Sequence, residues 1–269
     1  MSDFLQSMAA SSRARANAIG SPPSADRLDR PAFSLRLDRF DLVAEIKNRS
    51  PAEGELATGA GDRAARAAAY VAGGAAAISI LTEPDRFDGD VTHLEEVAAA
   101  VAGTETPVMR KDFLVDTAQV LEAKAAGASG ILLIAAMLDD KALTSMLDCA
   151  FEHDLFVLLE AFDEQDLNRS RQLAKRSIYA DQAERNKFLV GVNTRNLRTL
   201  EVDPARLERL GPLLPAGVTC VAESGIVTAD DAGKVVDWGY RAALVGTALM
   251  RAEDPESLVR AMLSAGRAA

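Results

Sequence analysis

Two lysines and three glutamates stand out in this chain because each belongs to the end of a short, otherwise apolar run. Glu45 and Lys47 end LVAEIK, Lys111 lies in PVMRKD, Glu160 in FVLLEA and Glu223 in TCVAES; Asn193 ends FLVGVN in the same way. Gathered in one half-buried place, such cations and carboxylates move one another's pKa values apart and supply an acid and a base at neutral pH. A second set is built of small residues: Ser224-Gly225 in AESGI and Gly246-Thr247 in LVGTALM, each where a strand turns towards a helix. Glycine there lets backbone N–H groups approach a ligand, and a following helix N-terminus favours negative charge, so this set suits a phosphate. Taken singly, each residue has an ordinary reading, as a polar strand end in water or a tight turn. Their recurrence at strand after strand favours a site.

These residues act together only if the fold brings the strand ends together. The apolar runs number eight, at 42–47, 76–81, 107–112, 130–136, 156–161, 188–193, 219–224 and 242–246, and each is followed by a helix-prone segment such as DRAARAAAYVAGG, TAQVLEAKAAG or ADDAGKVVDWG. Near-continuous apolar strands crossing to helices predict a parallel sheet covered by helices, and eight such units predict a closed (β/α)8 TIM barrel over 41–269. The active site of that fold lies at the carboxyl ends of the strands, where the residues named above stand. Alternation along a strand puts Glu45 and Lys47 on one face. It also separates Lys111 from Arg110, so Lys111 is expected in the barrel mouth and Arg110 among the outer helices, with Asp112 a loop or pairing residue. Residues 1–40 read as an arm of one short helix plus extended chain. The polar stretch between strands five and six, DEQDLNRSRQLAKRSIYADQAERNK, reads as a surface insertion or extended helix. GAGDRA at 59–64 formally matches a dinucleotide fingerprint, but it lies well beyond the first strand and reads as a helix-leading turn.

Composition narrows the function. At 269 residues and 48% hydrophobic the chain can bury one large core, and its net charge of −10 argues against nucleic acid as a partner. A small anionic ligand remains open through local positive charge. Cys149 and Cys220 lack metal or disulfide spacing, and His93 and His153 stand far apart, so no metal site is expected. No apolar run has the length of a membrane span, and the opening residues lack a signal-peptide pattern, which together predict a cytoplasmic protein.

The ordered set AEIKNRSP, ISILTEPDRFDG, PVMRKDFLVD, AGASGILLIAAML, LLEAFDEQDL, VGVNTRNL, VAESGI and LVGTALMR resembles the indole-3-glycerol phosphate synthase family over residues 42–255. The resemblance implies that 1-(2-carboxyphenylamino)-1-deoxyribulose 5-phosphate is cyclised, decarboxylated and dehydrated without a cofactor. It implies Lys111 as general acid, Glu160 as the base for dehydration, and Lys47 near the substrate carboxylate and departing hydroxyl. Glu45, Asn193 and Glu223 would position hydroxyls and ammonium groups, and Ser224, Gly225, Gly246 and Thr247 would hold the phosphate. Ser50, Arg195, Phe87 and Phe113 would form the binding shell, with the two rings flanking the anthranilate moiety. From sequence alone, ordinary packing explains both phenylalanines equally well.

Three departures from the family pattern bear on this. SPAEG puts Ala52 and Glu53 where SP-S-K-G is usual, Phe162 follows the fifth strand where histidine is commoner, and Thr194 replaces asparagine in N-N-R. They keep open a phosphometabolite-binding paralogue and another phosphosugar isomerase or lyase of the same barrel group. Intact Lys47, Lys111 and Glu160 favour the synthase. The partner expected is a small anionic phosphosugar, with the chain a monomer or weak homo-oligomer.

Overall fold

The computed structural model describes residues 3–50, 54–56, 60–197 and 202–269. Eight parallel strands close into a barrel: β1 Asp41–Ile46, β2 Ala77–Leu81, β3 Val108–Lys111, β4 Gly130–Ile134, β5 Phe156–Ala161, β6 Phe188–Asn193, β7 Thr219–Glu223 and β8 Ala242–Val245. β1 pairs with both β2 and β8, which seals the ring. Nearly every strand residue is buried, as a sheet lined by side chains inside and covered by helices outside requires. Packing reaches the interior floor, where the Phe156 ring occupies the space that a side chain at its register partner Gly130 would need.

The helices in chain order are α1 Asp3–Ala18, α2 Ala25–Leu28, α3 Ala60–Gly73, α4 Pro84–Phe87, α5 Val91–Val101, α6 Thr117–Ala125, α7 Asp140–Glu152, α8 Glu164–Ala174, α9 Ser177–Glu184, α10 Arg206–Leu210, α11 Ala229–Asp237, α12 Thr247–Arg251 and α13 Pro255–Ala268. Their starts follow from local chemistry. Asp116 and Thr228 form capping boxes with Gln119 and Asp231, and Asp139, Asp163 and Asp254 cap single N–H groups, satisfying donors that a helix cannot pair internally. At the chain's end, α13 is tied beneath β1 by Arg267, which donates to the Phe40 carbonyl at 3.0 Å and to Asp41 Oδ1 at 2.7 Å.

Strands five and six have the predicted bounds, and the others shift by one or two residues. Lys47 and Ser224 stand just beyond their strands, and residues 135–137 form a 3-10 turn instead of strand. GAGDRA leads into α3 as expected from Ala60 on; Gly59 lies outside the described residues.

Two readings are corrected. The arm's helix is long and docked: Leu5, Met8, Ser12 and Ala16 of α1 are buried at helical spacing, and the Ser12 hydroxyl accepts a 2.9 Å bond from Gln119. The polar stretch before β6 is neither an insertion standing off the surface nor one extended helix. It makes two helices, α8 and α9, whose inner faces bury Asp166, Leu167, Ser170 and Tyr179. Asp166 and Ser170 hide well because they are satisfied locally, Asp166 by the Phe162 N–H and Ser170 by the Asp166 carbonyl.

Docking of α1 by apolar burial predicts that Leu5→Ala destabilises the whole protein by about 2–5 kcal/mol in urea unfolding. A change under about 0.5 kcal/mol, the size of an ordinary surface substitution, would mean that the helix is not packed on the barrel.

Candidate active site

The six polar strand-end residues converge. Lys111, the last residue of β3, places its ammonium 3.3 Å from Glu160 Oε2 and 3.6 Å from Glu223 Oε2; its side chain is 16% exposed and both glutamates are 1% exposed. Glu45 and Lys47 point the same way across Ile46 and pair at 2.7 Å. Arg110, of opposite parity, faces outward as predicted and pairs with Glu122 of α6 at 2.7 Å. Asp112 is likewise a pairing residue, accepting from Arg15 at 2.6 Å and from Thr82 at 2.8 Å.

Charge decides the state of these groups. Burial pushes the Lys111 ammonium down, but Glu160, Glu223 and Glu45, with the hydrogen bond to Glu160, outweigh it and hold its pKa above the ordinary lysine value. For Glu45 burial works upward and is overcome by Lys47 and Lys111, so its carboxyl stays below the usual range. Glu223 goes the other way: burial and the neighbouring Glu160 charge exceed the pull of Lys111 and lift it well above the carboxylate range. Buried carboxyls this close disfavour a second negative charge, which is the cause of the upward shift of Glu223.

Asn193 links these charges to the backbone. Its Oδ1 accepts the Arg195 N–H at 2.9 Å, which leaves the amide nitrogen to donate to Glu160 Oε2 at 3.1 Å and settles which way the amide faces. Arg206, missed in the sequence, donates to the Asn193 and Thr194 carbonyls at 3.0 and 2.7 Å and holds the end of β6 in place.

Two glycines make the clearance. A Cβ at Gly191 would collide with Glu223 Oε1, and one at Gly246 would collide with Glu45 Oε1 and come 2.9 Å from Lys47 Nζ. Gly246 thus has a task besides the phosphate role expected of it, because its bare backbone seats the Glu45–Lys47 pair. Ser224 and Gly225 are exposed and both take left-handed conformations, φ 66° and 78°. For serine this costs about 1–2 kcal/mol, a strain that recurs where backbone serves a ligand. Thr247 is half-buried at the start of α12.

On the opposite side stand the rings. Phe113 is buried and lies 6.3 Å from Phe87, tilted by 33°. Phe4 of α1, not anticipated, meets Phe113 edge-on at 6.0 Å. Arg195 is half-buried, and its strand-like bridge to Val202 closes the loop after β6. The Ser50 side chain, Ala52 and Glu53 lie outside the described residues. Phe162 is buried, with its N–H on Asp166, and Thr194 is buried beside Gly225. Among the described residues, no group of three or more His, Cys, Asp or Glu could hold a metal ion.

Known proteins share this arrangement of chain. A family model described as indole-3-glycerol phosphate synthase matches residues 15–262. The indole-3-glycerol phosphate synthase of a Nocardioides species is 46% identical over 232 residues, covering 86% of this chain and 83% of that protein. That of a Parafrankia species is 43% identical, covering 86% and 81%. Among solved structures, orotidine 5'-phosphate decarboxylase from Pyrococcus horikoshii superposes with a TM-score of 0.55 at 15% identity, covering 85% of this chain and 99% of that one, a likeness of fold alone.

The raised Glu223 gives a pH signature. Its native pKa lies above the unfolded value of about 4.3, so between the two values the native state binds the extra proton and stability falls as pH rises. Glu223→Gln cannot titrate, so in urea unfolding it gains stability relative to the parent on going from pH 5 to pH 8. An equal difference at both pH values would remove the upward shift of Glu223.

Proposed function

Because the chain belongs to the indole-3-glycerol phosphate synthase family, its function is that carboxy-lyase reaction of tryptophan biosynthesis, and we propose that Lys111, Glu160 and Lys47 carry the proton transfers. The substrate is a phosphorylated small molecule, 1-(2-carboxyphenylamino)-1-deoxyribulose 5-phosphate. In the reaction a ring carbon joins the ketone carbon, carbon dioxide leaves, and water is lost to give indole-3-glycerol phosphate.

The observation that carries the assignment is the Lys111 ammonium, held charged between Glu160 and Glu223 at the mouth of the barrel. As the ring carbon attacks, the ketone oxygen gathers negative charge, and Lys111 protonates it as the bond forms. The strong hold on this proton does not prevent the transfer. A nascent alkoxide, comparable in basicity to the conjugate base of water, whose pKa is about 15.7, takes it readily. Loss of carbon dioxide restores the aromatic ring. Glu160, oriented by Asn193, then accepts the proton released during dehydration, while Lys47 faces the departing hydroxyl and the substrate carboxylate, its position set by Glu45. Glu223 steadies the Lys111 ammonium between steps.

Ser224, Gly225, Gly246 and Thr247 hold the phosphate through backbone N–H groups and the two hydroxyls. Arg195 and Ser50 belong to the binding shell, and Phe87 and Phe113 flank the anthranilate ring. Anchoring both ends of a flexible ketose brings ring carbon and carbonyl together, an entropic contribution that needs no further catalytic group. The dry ring slot also helps the carboxylate leave. Among the described residues no helix is long and apolar enough to cross a membrane. The acidic net charge of −10 favours a small metabolite over nucleic acid as the partner.

Purified protein given the carboxyphenylamino ribulose phosphate is expected to generate indole fluorescence. Silence, with a known synthase active alongside, would sink the reading. Lys111→Ala is expected to lower kcat by roughly a hundredfold or more while still binding a product analogue, and unchanged turnover would remove Lys111 as the acid.

A further inference from the structure

Asp112 is a buried charge outside the Lys111–Glu160–Glu223 cluster. Its side chain is fully buried, and its Oδ1 accepts both the Phe113 N–H at 2.7 Å and Arg15 Nη2 at 2.6 Å. Nη1 of the same guanidinium lies 3.5 Å from Oε1 of Glu83, which is also fully buried, an ion pair without a hydrogen bond. Glu83 caps α4 by accepting the Asp85 and Arg86 N–H groups, and α4 ends in Phe87. One side chain from α1 thus bridges the segment after β2, which leads to Phe87, and the segment after β3, which begins at Asp112 and carries Phe113. The same helix presents Phe4 to the Phe113 ring, about three turns before Arg15 and so on the same side.

We infer that Arg15 is a positioning residue for the aromatic end of the substrate: it fixes the two loops against each other, sets the gap between the Phe87 and Phe113 rings, and brings Phe4 in as a third wall. This rests on the reading of those rings as the anthranilate slot. The planar guanidinium suits the task because it offers two nitrogens in fixed geometry to two carboxylates. A lysine could serve only one at a time. Lys111 is held independently, by Glu160 and Glu223 from across the barrel, so Arg15 acts on the grip of the ring and not on the proton transfer. Asp112 also keeps Thr82 and Arg110 as partners when Arg15 is removed, so its charge stays compensated and the fold survives.

The test compares the parent with Arg15→Ala, Arg15→Lys and Phe4→Ala at a temperature where urea unfolding shows all four folded. The probes are the substrate and its ketone-reduced alditol phosphate, which binds but cannot cyclise. Arg15→Ala is expected to raise KM for the substrate and Kd for the alditol, by calorimetry, about tenfold, with kcat within about threefold and the pH profile of kcat unmoved. Arg15→Lys should recover part of that loss, and Phe4→Ala should weaken alditol binding in the same sense. KM and Kd within about twofold of the parent, or a loss confined to kcat, would overturn the inference. Should the parent bind the alditol yet form no indole product, the proposed catalytic roles fall, while the Kd comparison still decides the role of Arg15.

Discussion

Two ammonium groups facing three carboxylates in a nearly dry barrel mouth set the terms for the rest of this protein. An uncompensated charge at such depth costs several kcal/mol, so the cluster must either find counter-charges or take up a proton. Both tendencies are present. Lys47 neutralises Glu45, Lys111 is drawn between Glu160 and Glu223, and burial beside a like charge shifts the Glu223 carboxyl towards its protonated form. The arrangement raises the pKa of the Lys111 ammonium and of the Glu223 carboxyl while lowering that of Glu45, so groups of the same type sit in different states within one solvent-poor space.

Such a cluster tolerates little displacement, and the barrel supplies the stiffness. Each charged side chain leaves the end of a strand paired on both sides. The glycines at 191 and 246 let carboxylates lie against bare backbone where any side chain would intrude. Outside the ring of strands a second ionic network, Arg110 with Asp112 and Glu122, borders the same strand that carries Lys111. Alternation along β3 sends neighbouring cations to opposite sides, one into the mouth and one into the wall.

Much of this is written in the sequence, for reasons that can be traced. Strands of a parallel barrel are apolar on both faces, so a lone polar residue at the end of each run is conspicuous, and parity is enough to separate Lys111 from Arg110. The family motifs then connect the strand ends to a reaction. What escaped reading was polar burial. The inner face of α1 carries Leu, Met, Ser and Ala, which makes no apolar stripe, and that of α8 carries an aspartate and a serine whose bonds are satisfied within a few residues. Arg15, Glu83 and Phe4 were missed for a related reason. Their partners lie far along the chain, and a single sequence holds no trace of such pairings. The clearance role of Gly246 was hidden as well, since a glycine after a strand suggests a turn, while the atoms it makes room for belong to the first strand.

That last contact joins the first and last strands of the barrel. β1, which holds Glu45 and precedes Lys47, pairs with β8, and the pair is seated against Gly246 just beyond it. On the ribosome β1 is the first of the barrel strands to emerge and β8 the last, so the first strand waits with one edge open while the other six are made. Closing so long a loop is slow, and an unpaired edge invites association with other chains in the meantime. The lysine–glutamate pair reaches its native seat only when the ring shuts, so the charge cluster is completed with the last strand of the barrel.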